Sequence, residues 1–104
     1  MSKQYHKLVR DKIPQIIEKS GKTCRTQVME DGEYLQLLEE KLTEELAEYQ
    51  NGKALEELAD LLEVMEAVVA ARGETWERLL SVKAEKKAAR GGFAEKILLL
   101  EVSE

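Results

Sequence analysis

The stretch Glu44-Glu45-Leu46-Ala47-Glu48-Tyr49-Gln50-Asn51-Gly52-Lys53-Ala54-Leu55-Glu56-Glu57-Leu58-Ala59-Asp60-Leu61 decides how this chain folds. Apolar residues recur at helical spacing on both sides of Asn51-Gly52. Upstream, Leu35, Leu38, Leu42, Leu46 and Tyr49 form one stripe, which predicts a helix from about Glu33 to Gln50. Downstream, Leu55, Leu58, Leu62, Met65 and Val69 form a second stripe with Leu61 and Val68 beside it, which predicts a helix from about Ala54 to Arg72. So short a link between two such helices predicts an antiparallel hairpin. The wide apolar face of the second helix calls for burial on more than one side.

Working outward, Leu8-Val9-Arg10-Asp11-Lys12-Ile13-Pro14 leads into a short helix, with Asp11 as its expected cap and Pro14 in its first turn. Gly21 ends that helix, and Lys22 to Gly32 reads as a loop or short strand. Gly73 stops the second long helix. Thr75 can then cap a third, running through Trp76, Leu79 and Leu80 to about Ala89 before Gly91-Gly92. Ile97-Leu98-Leu99-Leu100 fits either a terminal strand or a packed helical turn, because so short a run has no decisive period. The expected fold is therefore a single all-α domain over residues 1–104, a small helical bundle built on the hairpin.

Composition narrows the function. A chain of 104 residues with few aromatics must build a modest core from Leu, Val, Ile and Ala. Self-association, as a homodimer or a higher homo-oligomer, would complete that core. A net charge of -5 disfavours tracking along a nucleic-acid polymer, so any phosphate recognition must be local. The lone Cys24 excludes an intramolecular disulfide and fits a reducing cytoplasm as an inert thiol. Residues 1–12 are charged, and no apolar run is long enough for a membrane span, so a soluble, cytoplasmic protein without membrane partners is expected.

The acids of the hairpin fall into two groups. Glu39, Glu40, Glu56, Glu63 and Glu66 read as an ordinary solvated surface, whereas Glu45, Glu48, Glu57 and Asp60 take positions where leucines would be expected. In an antiparallel hairpin these four would meet near one end. Carboxylates gathered beside apolar side chains repel one another and lose hydration, so they call for a cation or protons. Oxygen-only ligands suit Mg²⁺, or Mn²⁺ in its place, while zinc and di-iron sites recruit His or Cys. His6 is the single histidine, and no Glu-x-x-His pair exists. The bland alternative is that Glu-x-x-Glu spacings arise by chance in so charged a helix.

A basic group stands apart from the acids. Lys83, Lys86 and Arg90 share one face of the third long helix with Trp76 and Leu79, a ladder able to hold a polyphosphate. Gly91-Gly92 would permit close backbone approach, and Phe93 could stack on a base. Equally, Lys and Arg in a last helical turn simply oppose the helix dipole before a glycine stop. Arg10 and Lys12 form a smaller basic group with the same two readings.

Taken in order, Glu44-Glu45-x-x-Glu48, Glu57-x-x-Asp60, the opening Leu8 to Pro14 and the closing Arg90-Gly91-Gly92-Phe93 resemble a small single-domain subgroup of the MazG-like and phosphoribosyl-ATP pyrophosphohydrolase-like superfamily. The resemblance runs along nearly the whole chain. It implies an all-α, oligomeric enzyme that hydrolyses a nucleoside triphosphate between the α and β phosphates, leaving a monophosphate and pyrophosphate. By matching positions, Glu45, Glu48, Glu57 and Asp60 would hold Mg²⁺, and Glu44 would orient or deprotonate the attacking water. Lys83, Lys86, Arg90, Phe93, Arg10 and Lys12 would contact the nucleotide. Only eight residues separate Glu48 from Glu57, fewer than in MazG proper, so a tighter hairpin is expected. Nucleotide-pool house-cleaning is the favoured role. Phosphoribosyl-ATP hydrolysis in histidine biosynthesis, and a non-enzymatic helical module binding a nucleotide or a partner, are the alternatives.

Overall fold

The computed structural model describes residues 3–104, and among them the regular structure is entirely helical. Four helices follow in order: α1 (Ile13–Lys19), α2 (Asp31–Gly52), α3 (Leu55–Ala71) and α4 (Trp76–Arg90). The hairpin of α2 and α3 is the principal packing unit, α4 lies against α3 more sparsely, and α1 packs on none of the other helices.

Each helix end has a local cause. α1 starts without a side-chain cap at Lys12 rather than at Asp11, and Pro14 in its first turn costs nothing because that N–H has no helical partner. α2 runs through Asn51 and Gly52, which therefore extend it rather than break it. Its chain reversal falls on Lys53, left-handed at φ 63°, whose N–H donates to the Tyr49 carbonyl at 2.7 Å. A Cβ at Gly52 would lie 2.5 Å from both Glu57 carboxylate oxygens, so a side chain there would displace that carboxylate. α4 is capped by Thr75, whose hydroxyl accepts from the Arg78 N–H at 3.1 Å.

A lysine in the left-handed region carries a steric penalty that glycine lacks. Lys53→Gly should therefore stabilise the fold by about 1 kcal/mol. A thermal melt should rise by roughly 4–8 °C, and a fall would show that Lys53 is retained for its ammonium, 5.7 Å from the Tyr49 ring centre.

The chain is strongly elongated. Its radius of gyration is 18.8 Å over principal extents of 64 × 31 × 24 Å, whereas a compact chain of this length would have about 13 Å. It exposes 9782 Å², against about 5,900 Å² for a compact monomer of its mass. Among the described residues only Leu38 and Val64 are buried apolar side chains. On α3, Leu55, Leu58, Leu62 and Met65 all face solvent in the single chain.

After Arg90 no helix or strand forms, and a single turn, closed by the Lys96 N–H donating to the Phe93 carbonyl at 3.2 Å, precedes a tail without regular structure. The apolar run Ile97 to Leu100 thus becomes neither the strand nor the helical turn that its composition allows. A strand needs an edge to pair with, and this helical chain supplies none.

Candidate functional site

Glu45 is the buried acid. It stands on α2 one turn after Lys41 and two turns after Leu38, facing α3, and is only 7% exposed. One carboxylate oxygen lies 3.5 Å from the Lys41 Nζ, and the other, Oε2, is buried with no hydrogen-bond partner. Burial, then the charge of Glu48 one turn on, push the Glu45 carboxyl above its ordinary range, and Lys41 only partly opposes them. A buried acceptor left without a donor is costly to the fold.

A cleft of about 400 Å³ opens over this residue. Its floor is Tyr34, Leu38, Lys41 and Glu45 of α2 with Val64 and Ala67 of α3. Asp60 and Glu63 enter from α3, and residues Leu8 to Lys12 cross the top as a strap. The strap is tied down by charge: Arg10 donates to the Asp60 carboxylate at 2.7 Å. Lys7 lies 3.1 Å from Glu44, which holds the lysine above its ordinary pKa range, and Lys41 lies 3.9 Å from the same Glu44 oxygen.

Three acids at or beside the cleft are each met by a cation. Asp60 has Arg10, Glu44 has Lys7, and Glu45 has Lys41 on one oxygen only. Among the described residues no three His, Cys, Asp or Glu side chains converge at metal-binding distance in this arrangement. The four expected ligands are thus not gathered as the sequence predicts. Glu45 and Asp60 share the cleft, but Glu48 is exposed, and Glu57 turns back so that its Oε2 accepts from the Ala54 N–H at 3.4 Å as a cap of α3. Glu57 sits at the third position of its helix, where such capping is the usual local competitor for a carboxylate. Glu63, read from sequence as plain surface, borders the cleft instead.

Of the expected phosphate contacts, Arg10 and Lys12 line the cleft. Lys83, Lys86, Arg90 and Phe93 do not. All four are exposed, and within one chain α4 meets α3 only. Lys7 and Lys41 are the cations that sequence reading passed over. Lys41 carried a signal, since it precedes Glu45 by four residues on the same helical face, but Lys7 lies in a segment with no period to place it.

No known family, curated protein or solved structure matches the chain. No helix among the described residues is long and apolar enough to cross a membrane.

Proposed function

We propose that this chain is a divalent-cation-dependent nucleoside triphosphate pyrophosphohydrolase of the MazG-like kind, acting in the cytoplasm on nucleotide pools. The observation that carries the reading is Glu45: a nine-tenths buried carboxylate with an unpartnered oxygen, in a cleft it shares with Asp60 and with the cations of the strap. A hydrophobic residue would fill that position at less cost to the fold, so the acid is retained for something it binds.

Its donor set fits Mg²⁺ or Mn²⁺. Glu45 and Asp60 offer oxygen ligands, Glu48 and Glu57 would have to turn from their present positions to join them, and no His or Cys lines the cleft. Such a cation, when bound, lowers the pKa of its water and neutralises phosphate charge. The chain's own groups do the rest. Arg10 and Lys12 face the cleft as phosphate ligands, Arg10 with the bidentate fork suited to two phosphate oxygens. Glu44, half-exposed beside Lys7 and Lys41, would orient or deprotonate a water. Tyr34 and Leu38 keep the floor of the cleft apolar and limit water there.

The exposed area of the single chain supports assembly as at least a dimer, since the excess over a compact monomer is larger than the about 800 Å² that each partner of an ordinary stable complex buries. The open leucine face of α3 is the natural contact.

A screen of standard and damaged nucleoside triphosphates, with phosphoribosyl-ATP beside them, should detect pyrophosphate release with Mg²⁺ and none with EDTA. Ligand linkage offers a readout independent of turnover. At a Mg²⁺ concentration a hundred times Kd the folded state gains about 2.7 kcal/mol, or roughly 10–20 °C in Tm. No thermal response to either Mg²⁺ or Mn²⁺ would remove the metal site, and response without turnover on any triphosphate would favour a binding module.

A further inference from the structure

The C-terminal segment is the least explained part of the molecule. Phe93, Ile97, Leu98, Leu99, Leu100 and Val102 are each between 73% and 99% exposed. So contiguous an apolar run gains free energy when another surface covers it.

A matching surface exists at the other end of α4. Between α3 and α4 lies a groove of about 270 Å³ floored by Val68, Val69, Leu79 and Val82, with Arg72 and Arg78 at its rim outnumbering Glu74. The end of the segment is its electrostatic complement, since Glu101 and Glu104 follow the apolar run and Lys96 is its single cation. The groove draws on the first half of α4, whereas the segment leaves after Arg90, about 12–18 Å further along the helix. Its side chains are solvent-exposed rather than folded back over that distance.

We propose that residues 93–104 are an exchange arm that docks in the α3–α4 groove of a second copy of this chain. The inference rests on the self-association proposed above and adds the element that secures it. Reciprocal arms would cover the apolar strip and part of the surface excess of both copies at once, and the glutamates of each arm would meet Arg72 and Arg78 of the other copy's groove. Gly91, at φ 83°, lets the chain leave α4 sharply toward its partner.

Sedimentation equilibrium on the full chain, on a chain ending at Gly92, and on a Leu98→Asp/Leu100→Asp variant tests this, with helical circular dichroism as the folding control. The full chain should associate, and both variants should keep their helix content while dissociating at least a hundredfold more readily. A synthetic peptide of residues 93–104 should bind the truncated chain. That binding should be lost with Arg72→Glu/Arg78→Glu and recovered by a peptide carrying Glu101→Lys/Glu104→Lys. Truncated and full chains that associate equally tightly would overturn the arm while leaving self-association in place. Peptide binding indifferent to the charge reversals would overturn the groove as its seat. A full chain that stays monomeric would overturn the self-association reading, and the arm with it.

Discussion

Replacing Glu45 by Gln should abolish turnover and, in the metal-free protein, raise the melting temperature. Gln keeps the shape of Glu45 and can still accept a hydrogen bond, but it brings no charge into a site where one oxygen has no donor. Loss of a central cation ligand should cost at least a thousandfold in rate, about 4 kcal/mol of transition-state stabilisation. Relief of the unpartnered buried charge should stabilise the apo fold by about 1 kcal/mol. The pH dependence fixes the cause. Because the folded protein holds the Glu45 proton more tightly than the unfolded chain, whose ordinary value is 4.5, the folded state is progressively disfavoured as pH rises through and above that value. The two proteins should therefore melt together below about pH 4 and diverge toward neutrality, with the variant the more stable. Glu66→Gln, exposed and away from the cleft, should differ from the parent in neither property. A Glu45→Gln protein that keeps its turnover would remove Glu45 from the site, and one less stable at neutral pH would mean that Lys41 compensates the buried charge fully.

The hairpin was legible because apolar residues recur at helical spacing, although four of the five stripe residues on α3 stay exposed in the single chain. The stripes of α2 and α3 give both helices to within two residues at each end, and the inward turn of Glu45 follows from the same spacing. What periodicity does not carry is the choice a flexible carboxylate makes among nearby partners. Glu57 lies on the predicted face yet its carboxylate accepts from the Ala54 N–H, close against Gly52. The reversal at Lys53 is equally hidden, since Asn51 and Gly52 are the better turn formers by composition and the backbone left-handedness falls one residue later. The strap is legible only as two cations near the start of the chain. That Arg10 reaches Asp60, fifty positions away, is a tertiary fact with no local signal.

That long-range pair suggests that Arg10 serves two partners in turn. In the metal-free chain it neutralises Asp60 across 2.7 Å, and both side chains are about half exposed, so the pair itself contributes little, on the order of 1 kcal/mol or less. A cation held by Asp60 would compete with the guanidinium, and a released Arg10 would face the cleft free to take phosphate. Arg10→Ala should accordingly tighten Mg²⁺ binding by up to about fivefold, because the competing charge is gone. The same substitution should weaken triphosphate binding by about 1.5–3 kcal/mol, the range of a charge-assisted contact, and monophosphate binding much less. Arg90→Ala supplies the comparison. If the ladder on α4 is only a charged helix end, as its distance from the cleft within one chain indicates, triphosphate affinity should stay within about twofold of the parent. Calorimetry with Mg²⁺ alone, then with mono- and triphosphates of one base, reads all of these. Equal losses for Arg10→Ala and Arg90→Ala would bring the ladder of one copy to the nucleotide of another, and weaker Mg²⁺ binding in Arg10→Ala would make the strap a support for the acid site rather than its competitor.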